Sequence, residues 1–307
     1  MILIISINYE QSTSEVAEWL LYYKTEFEIV TETNTVKQLS YSLNEEKKEI
    51  SIITQNGKSI NFKDVESVWY RRNKFMNGNG ILNDGNDFIK DVDYFIQIAK
   101  AEWKYTDELL LLSLKDKMLV GDHTKSDPNK IVVLELAKSL GLLVPDSIIT
   151  SQKKDLLNNE WRLINKNISN VAHTSINNKS YCNRTVEVNV DHLPETFFPA
   201  LFQKLIIKKY ELRVFFLKDK FYAMAIFSQA DDKTATDFRN YNYLKPNRTV
   251  PFELPEEIQI KLKKLMLLLE MNTGSIDMMV TPTDEYVFLE VNLMDNLAWL
   301  VIPAIIL

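Results

Sequence analysis

The chain has 307 residues, too many for one small core and enough for two or three lobes. Its 46% hydrophobic and 25% charged content fits a globular protein, and its net charge of −6 argues against a general nucleic-acid binder, which needs cations to neutralise phosphates. One cysteine, Cys182, permits no internal disulfide and suits a reducing cytoplasm; the start, MILIISINYE, lacks the basic flank of a signal peptide, and no apolar run reaches membrane-spanning length.

In chain order, residues 2–7 predict a buried strand. Ser12 and Glu15 have capping-box spacing, and Val16, Trp19, Leu20 and Tyr23 then recur at helical period before a strand at 27–32. This β-α-β opening begins an α/β lobe. Asn56-Gly57 between alternating apolar residues predicts a hairpin over 49–62, and VESVWYRRNKF a strand ending in charges. The Tyr70-Arg71-Arg72 run is the end of a core strand or a peptide-binding charge pair. Helix is predicted over about 87–104 and again at DELLLLSL, closing an N-terminal lobe at residues 1–120.

A central lobe, residues 121–202, opens with Asp127 as helix N-cap and Pro128 in the first turn. Val133, Leu136, Ala137 and Leu140 form its stripe, and Gly141 ends it. Residues 161–169 predict a strand carrying Lys166, and the polar 170–184 a loop. A C-terminal lobe, 203–307, follows with two strands joined at Lys218-Asp219-Lys220, a polar segment containing DFRNYNY, and a helix burying Ile258, Leu262, Leu265 and Leu269. The hairpin GSIDMMVTPTDEYVFLEVN closes the sheet.

That hairpin sets three polar residues among apolar ones. A register centred between Thr283 and Asp284 places Asp277 opposite Glu290, with Asn292 on the same face and Met279, Tyr286 and Phe288 as neighbours. Two carboxylates and an amide oxygen match what Mg²⁺ asks of a protein, the rest of its shell coming from phosphates and water. A solvated face is the plainer alternative, and a slip of one residue destroys the convergence.

A polyphosphate is the natural companion of such a metal. Lys130, in the first turn of its helix, and Lys166, flanked by Leu163, Ile164 and Ile168, fit as phosphate counter-ions, though each alone reads equally as a surface charge. In LFQKLIIKKYELRVFF, Gln203 ends an apolar run, and Glu211 and Arg213 share one strand face. A ribose diol wants a carboxylate and a transferring phosphate wants a guanidinium; an ordinary surface ion pair is the alternative.

Taken in order, these residues resemble the ATP-grasp superfamily: a lysine before the central lobe, a lysine on a central strand, a Q-x-x-I hinge, E-L-R-V, G-S-I-D and F-L-E-V-N. STSEVAEWLLYY, VWYRR, ELRVFF, SQADDKTATDFRNYNY and LEVN are similar to the peptide-maturing ATP-grasp ligases, the microviridin-type and grasp-with-spasm maturases that crosslink ribosomally made peptides. The resemblance runs from about residue 1 to residue 300 and thins at 30–60 and 170–200. It implies an α/β ATP-grasp fold whose central and C-terminal lobes clamp ATP. Lys130 and Lys166 would contact phosphates, Gln203, Lys204, Leu205 and Ile206 would line the adenine pocket, and Glu211 would take the ribose. Arg213 and Arg239 would steady the transferring phosphate, Asp277, Glu290 and Asn292 would hold Mg²⁺, and Asp237 with Arg239 would meet the peptide.

The activity implied is activation of side-chain carboxylates of a precursor peptide as acyl phosphates, closed by Thr or Ser hydroxyls or Lys amines into macrocyclic esters or amides. A leader segment would dock separately and favour the active arrangement, and the family is commonly homodimeric. Small-molecule or protein-tail ligation, and nucleotide or peptide binding without turnover, are the other readings. The latter draws on a departure: where the family reads E-x-N-P-x-G-Q, this chain has Leu293, Asp295 and Asn296 in EVNLMDN. His123, His173 and His192 have no zinc-site spacing, and Cys182 lacks the surroundings of a nucleophile.

Overall fold

The computed structural model describes residues 1–44, 48–72, 75, 93–125, 128–169, 173–176, 179–182, 185–228 and 247–292, with backbone alone at 93–96, 173–176 and 179–182. Two compact units emerge, Met1–Ser126 and Asp127–Leu307.

The first unit contains, in order, β1 (Ile2–Ile5), α1 (Gln11–Tyr22), β2 (Phe27–Val30), β3 (Val36–Leu43), β4 (Lys48–Thr54), β5 (Ser59–Asn61), β6 (Ser67–Tyr70), α2 (Asp93–Leu112) and β7 (Met118–Val120). A parallel sheet has the order β2-β1-β6-β7, so the predicted β-α-β opening is present. Leu3, Ile4 and Ile5 are fully buried, the continuous apolar run of a strand covered on both faces. The Asn56-Gly57 hairpin joins β4 to β5, with Gly57 at φ +84°. Strand β3, which the sequence reading passed over, completes an antiparallel sheet of order β3-β4-β5. Most of its residues are polar and exposed, so no alternation marked it. At Gly121, φ is +81° and a Cβ would lie 2.4 Å from the Tyr70 carbonyl oxygen, so no other residue fits there without a shift.

The helix start differs from the predicted capping box. Glu10, not Ser12, caps α1: its Oε2 accepts from the Thr13 N–H at 2.6 Å and from the Thr13 hydroxyl at 2.8 Å. Glu15 instead accepts from Gln11 Nε2 at 2.9 Å. Glu10 wins because its other oxygen meets Arg71 Nη2 at 3.0 Å, so one carboxylate caps the helix and neutralises a buried guanidinium. Arg71 is thereby an end-of-strand core residue. The stripe of α1 is only partly covered within the chain, and Trp19 and Tyr23 are exposed.

The second unit contains α3 (Lys130–Ser139), β8 (Ser147–Gln152), β9 (Leu163–Lys166), β10 (His173–Ile176), β11 (Lys179–Cys182), β12 (Val186–Val188), β13 (Thr196–Lys204), β14 (Tyr210–Leu217), β15 (Lys220–Phe227), β16 (Arg248–Phe252), α4 (Glu256–Leu268), β17 (Thr273–Val280) and β18 (Tyr286–Asn292). One antiparallel sheet has the order β12-β9-β13-β8, a second β16-β15-β14-β17-β18. The segment 170–184, expected to be a loop, contains the hairpin β10-β11; polarity hid it, since HTSI and KSYC show no apolar alternation in sequence. Asn129 caps α3 by accepting from the Ile131 and Val132 N–H groups, so Lys130 is the first helical residue; the expected cap, Asp127, lies outside the described residues. Gly141, at φ +78°, ends that helix as predicted.

Each sheet has its own core. Leu156, Leu163 and Phe202 centre the four-stranded one, with Trp161 and Phe197 packed against them. Beneath the five-stranded sheet, Leu262, Leu265 and Met266 of α4 are fully buried, as are Val214, Ile276, Val280 and Phe288 of the strands. Each such side chain contributes about 1.5–3 kcal/mol relative to exposure. Helix α3 packs on β18 and on α4, which brings Lys130 to the outermost strand of the hairpin.

Candidate active site

The hairpin β17-β18 pairs Asp277 with Glu290, and Ser275 with Asn292, as the sequence register requires. The route differs. Next to the turn, Met279 pairs with Val287 and Met278 with Phe288, a register centred on Thr283 rather than beyond it. A bulge then absorbs Leu289, shifting the ladder by one residue before Glu290. Without it Asp277 would face Leu289 and Glu290 would turn to the other side. The bulge also corrects the predicted neighbours: Val287 shares the Asp277 face, whereas Phe288 is turned into the core and is fully buried.

Across the sheet the row extends. Arg213 of β14 lies directly opposite Asp277 and forms an ion pair with it. At the other end, Lys130 Nζ is 3.3 Å from Glu290 Oε2. Four nearly buried charges thus run in the order cation, anion, anion, cation. The two carboxylates repel each other, and each is compensated from its outer side. Ser275 Oγ, two residues along on the same face, is buried with no hydrogen-bond partner among the described residues. Two carboxylates, the Asn292 amide and this hydroxyl form a hard-oxygen set that fits Mg²⁺. Among the described residues no three His, Cys, Asp or Glu side chains gather, so phosphate or water oxygens would complete the shell.

The row borders an open cleft lined by Pro145, Ile164, Lys166, Thr185, Gln203, Lys204, Leu205, Ile206, Glu211, Asp277, Met279, Leu289 and Glu290. The predicted hinge residues 203–206 therefore stand on the same wall system as the two carboxylates. Lys130 and Arg213 do not line the cavity, but each grips a carboxylate that does. Lys166 lines it with no anionic partner among the described residues. Asp237 and Arg239 lie outside the described residues.

Three neighbours escaped the sequence reading. Lys208, whose side chain is 3% exposed, pairs with Glu211 Oε1, and the fully buried Ser228 hydroxyl donates to that same oxygen at 3.3 Å. Glu211 Oε2 has no protein partner among the described residues, which leaves it for a ligand. Ser147 accepts from Gln203 Nε2 at 2.9 Å. The i, i+3 spacing of Lys208 and Glu211 was visible, but a KK pair ahead of a strand ordinarily signals solvent.

No protein-family model matches the sequence, and no curated protein matches it. Solved structures do. A RiPP-associated ATP-grasp ligase of Chryseobacterium gregarium, in complex with ADP and a leader and core peptide, is 26% identical with a TM-score of 0.80, over 97% of this chain and 90% of that one. The macrocyclase MdnC of Microcystis aeruginosa, bound with the precursor peptide MdnA, is 24% identical with a TM-score of 0.77, over 97% and 93%. The ATP-grasp ligase PsnB, complexed with a variant of its minimal precursor, Mg and ADP, is 17% identical with a TM-score of 0.67, over 97% and 91%. The chain thus has the ATP-grasp fold, and its structural likeness to RiPP-associated ATP-grasp ligases covers nearly its whole length.

Proposed function

We propose that this chain is an ATP-dependent ligase that closes rings in a ribosomally made precursor peptide, joining Asp or Glu side chains to Thr or Ser hydroxyls or to Lys amines. The observation that carries the reading is the row Arg213, Asp277, Glu290, Lys130 on the edge of an open cleft, in a chain built like a ligase solved with ADP and a leader and core peptide.

A carboxylate is a poor electrophile and needs a leaving group. ATP transfers its γ-phosphoryl group to the peptide carboxylate, giving an acyl phosphate and ADP. A hydroxyl or amine of the same peptide then attacks the acyl carbon, and phosphate leaves, so the peptide loses one water per ring. Asp277, Glu290 and Asn292 would hold Mg²⁺, whose charge shields the polyphosphate during transfer. Gln203 to Ile206 border the base, Glu211 Oε2 accepts from the ribose, and Lys166 faces the phosphates. Lys130 and Arg213, now spent on Glu290 and Asp277, turn to phosphate oxygens when these arrive. Arg239 and Asp237 act on the peptide side. Ring closure needs mainly positioning, since both partners belong to one bound chain. In this reading residues 121–202 serve as the central lobe and residues 203–307 as the C-terminal lobe. The protein works in the cytoplasm as a homodimer; no described helix is long and apolar enough to cross a membrane.

Mass spectrometry of the cognate precursor peptide, incubated with enzyme, ATP and Mg²⁺, tests the proposal. Successive losses of one water are expected, and none with Glu290→Ala. ATP consumption without a mass change in the peptide would shift the reading to another acceptor, and intact ATP to a protein that binds without turnover.

A further inference from the structure

Gln203 sits on the cavity wall with 2% of its surface exposed, and a buried primary amide has two ends of opposite character. Which end faces a ligand decides which ligand is accepted. In β13, Gln203 is the direct cross-strand partner of Ser147 in β8. The Ser147 hydroxyl donates its single proton to the Pro145 carbonyl at 2.8 Å, and a carbonyl can only accept. Toward Gln203, then, Ser147 can only accept, and it receives Nε2 at 2.9 Å. This chain fixes the amide: the NH₂ end is turned to Ser147, and Oε1 has no protein partner among the described residues. Gln203 thus presents its acceptor end to the cavity, with one of its two N–H donors spent on Ser147.

We infer that Ser147 is a specificity-determining positioning residue, which holds Gln203 so that its Oε1 selects a purine bearing a 6-amino group over one bearing a 6-oxo group. The inference rests on the reading of this cavity as the nucleotide site. Adenine donates from its amino group to Oε1. Hypoxanthine or guanine would set a carbonyl oxygen against it, acceptor against acceptor, and reversing the amide to relieve the clash would leave Ser147 facing Oε1 with no proton to give. A polar group left buried and unmatched is the strongest basis for rejecting a close analogue.

Isothermal titration of ADP and inosine diphosphate, each with Mg²⁺, into the full chain tests this. Ser147 lies on an exposed strand position, so its replacement spares the fold. The wild type should prefer ADP. Ser147→Ala should shrink the preference about three- to tenfold, the worth of one ordinary hydrogen bond, mainly by improving the inosine ligand. Ser147→Thr, which keeps the hydroxyl, should retain it. In a Gln203→Glu background, where no amide can turn, Ser147→Ala should leave the ratio unchanged. A wild type that binds both nucleotides equally, or a Ser147→Ala that weakens both by the same factor, overturns the inference while leaving a nucleotide site standing. A wild type that binds neither overturns the nucleotide reading itself.

Discussion

Each unit of this protein buries charge at a sheet, and the two do so differently. In the first, Glu10 and Arg71 face each other with side chains 6% and 2% exposed, and both carboxylate oxygens of Glu10 are occupied, by Arg71 and Thr13. In the second, Arg213, Asp277, Glu290 and Lys130 form an open row in which two anions sit side by side at the edge of a cavity. A pair closed on itself is architecture. A row that places like charges together, with its hard oxygens toward a cavity, is built for something yet to arrive. Burial alone does not separate the two; the arrangement of partners does.

The sharpest way to break this contrast is Arg71→Met. It strands a buried carboxylate and should cost about 3–5 kcal/mol in urea unfolding, with ADP affinity unchanged in whatever remains folded. Glu290→Ala should do the opposite, lowering the rate of water loss from the precursor about 10²- to 10³-fold while the melting temperature stays within a few degrees. If Arg71→Met abolished nucleotide binding in folded protein, or Glu290→Ala unfolded the chain, the division would fail.

Lys208→Met should weaken ADP binding about tenfold, because Glu211 loses the cation that holds it while a hydrogen bond to a charged group is surrendered. The deficit should be much smaller for an analogue lacking the ribose hydroxyls, which separates a positioning role from simple loss of packing. Calorimetry with both ligands measures it.

The smallest effect is in pH. Burial pushes the Glu10 carboxyl up, but the Arg71 guanidinium and the Thr13 N–H and hydroxyl together pull it below its ordinary 4.5. A carboxyl held lower in the folded state than in the unfolded one binds fewer protons there. Its contribution is complete above pH 4.5 and is lost as the pH falls through the folded value. Urea midpoints recorded between pH 6 and about 3.5 should fall through that window, and Glu10→Gln should lose this share of the decline. Tyr70, by contrast, is pushed up to about 12 by burial and by the charges of Asp107 and Asp122, so it stays neutral throughout.

How far the sequence told this in advance varies by the range of the interaction. The β-α-β opening, the Asn56-Gly57 turn and the helix stop at Gly141 are local matters of period and backbone conformation, and they were legible. So was the meeting of Asp277 and Glu290, although the reading reached it by moving the turn half a residue, where the chain uses a bulge at Leu289. Strand β3 and the hairpin β10-β11 were not legible, because strands with both faces polar show no alternation. Glu10 as helix cap was missed for another reason. Its advantage comes from Arg71, 61 residues away, and no local pattern carries that. Ser147 and Lys208 belong with it: their roles exist only once strands have been laid side by side.

The bulge at Leu289 has a consequence for how this chain can change over generations. The turn Thr281–Glu285 is exposed and looks permissive, the kind of place where insertions and deletions accumulate. Yet if such an event slides β18 along β17 by a single residue, Glu290 is carried to the far face and a core position comes out in its place. A two-residue event keeps every side chain on its side. The hairpin therefore behaves toward length changes as a coding sequence behaves toward its reading frame, with a period of two instead of three. Lineages of this protein should vary that turn in even steps, or pair each odd step with the loss or gain of a bulge.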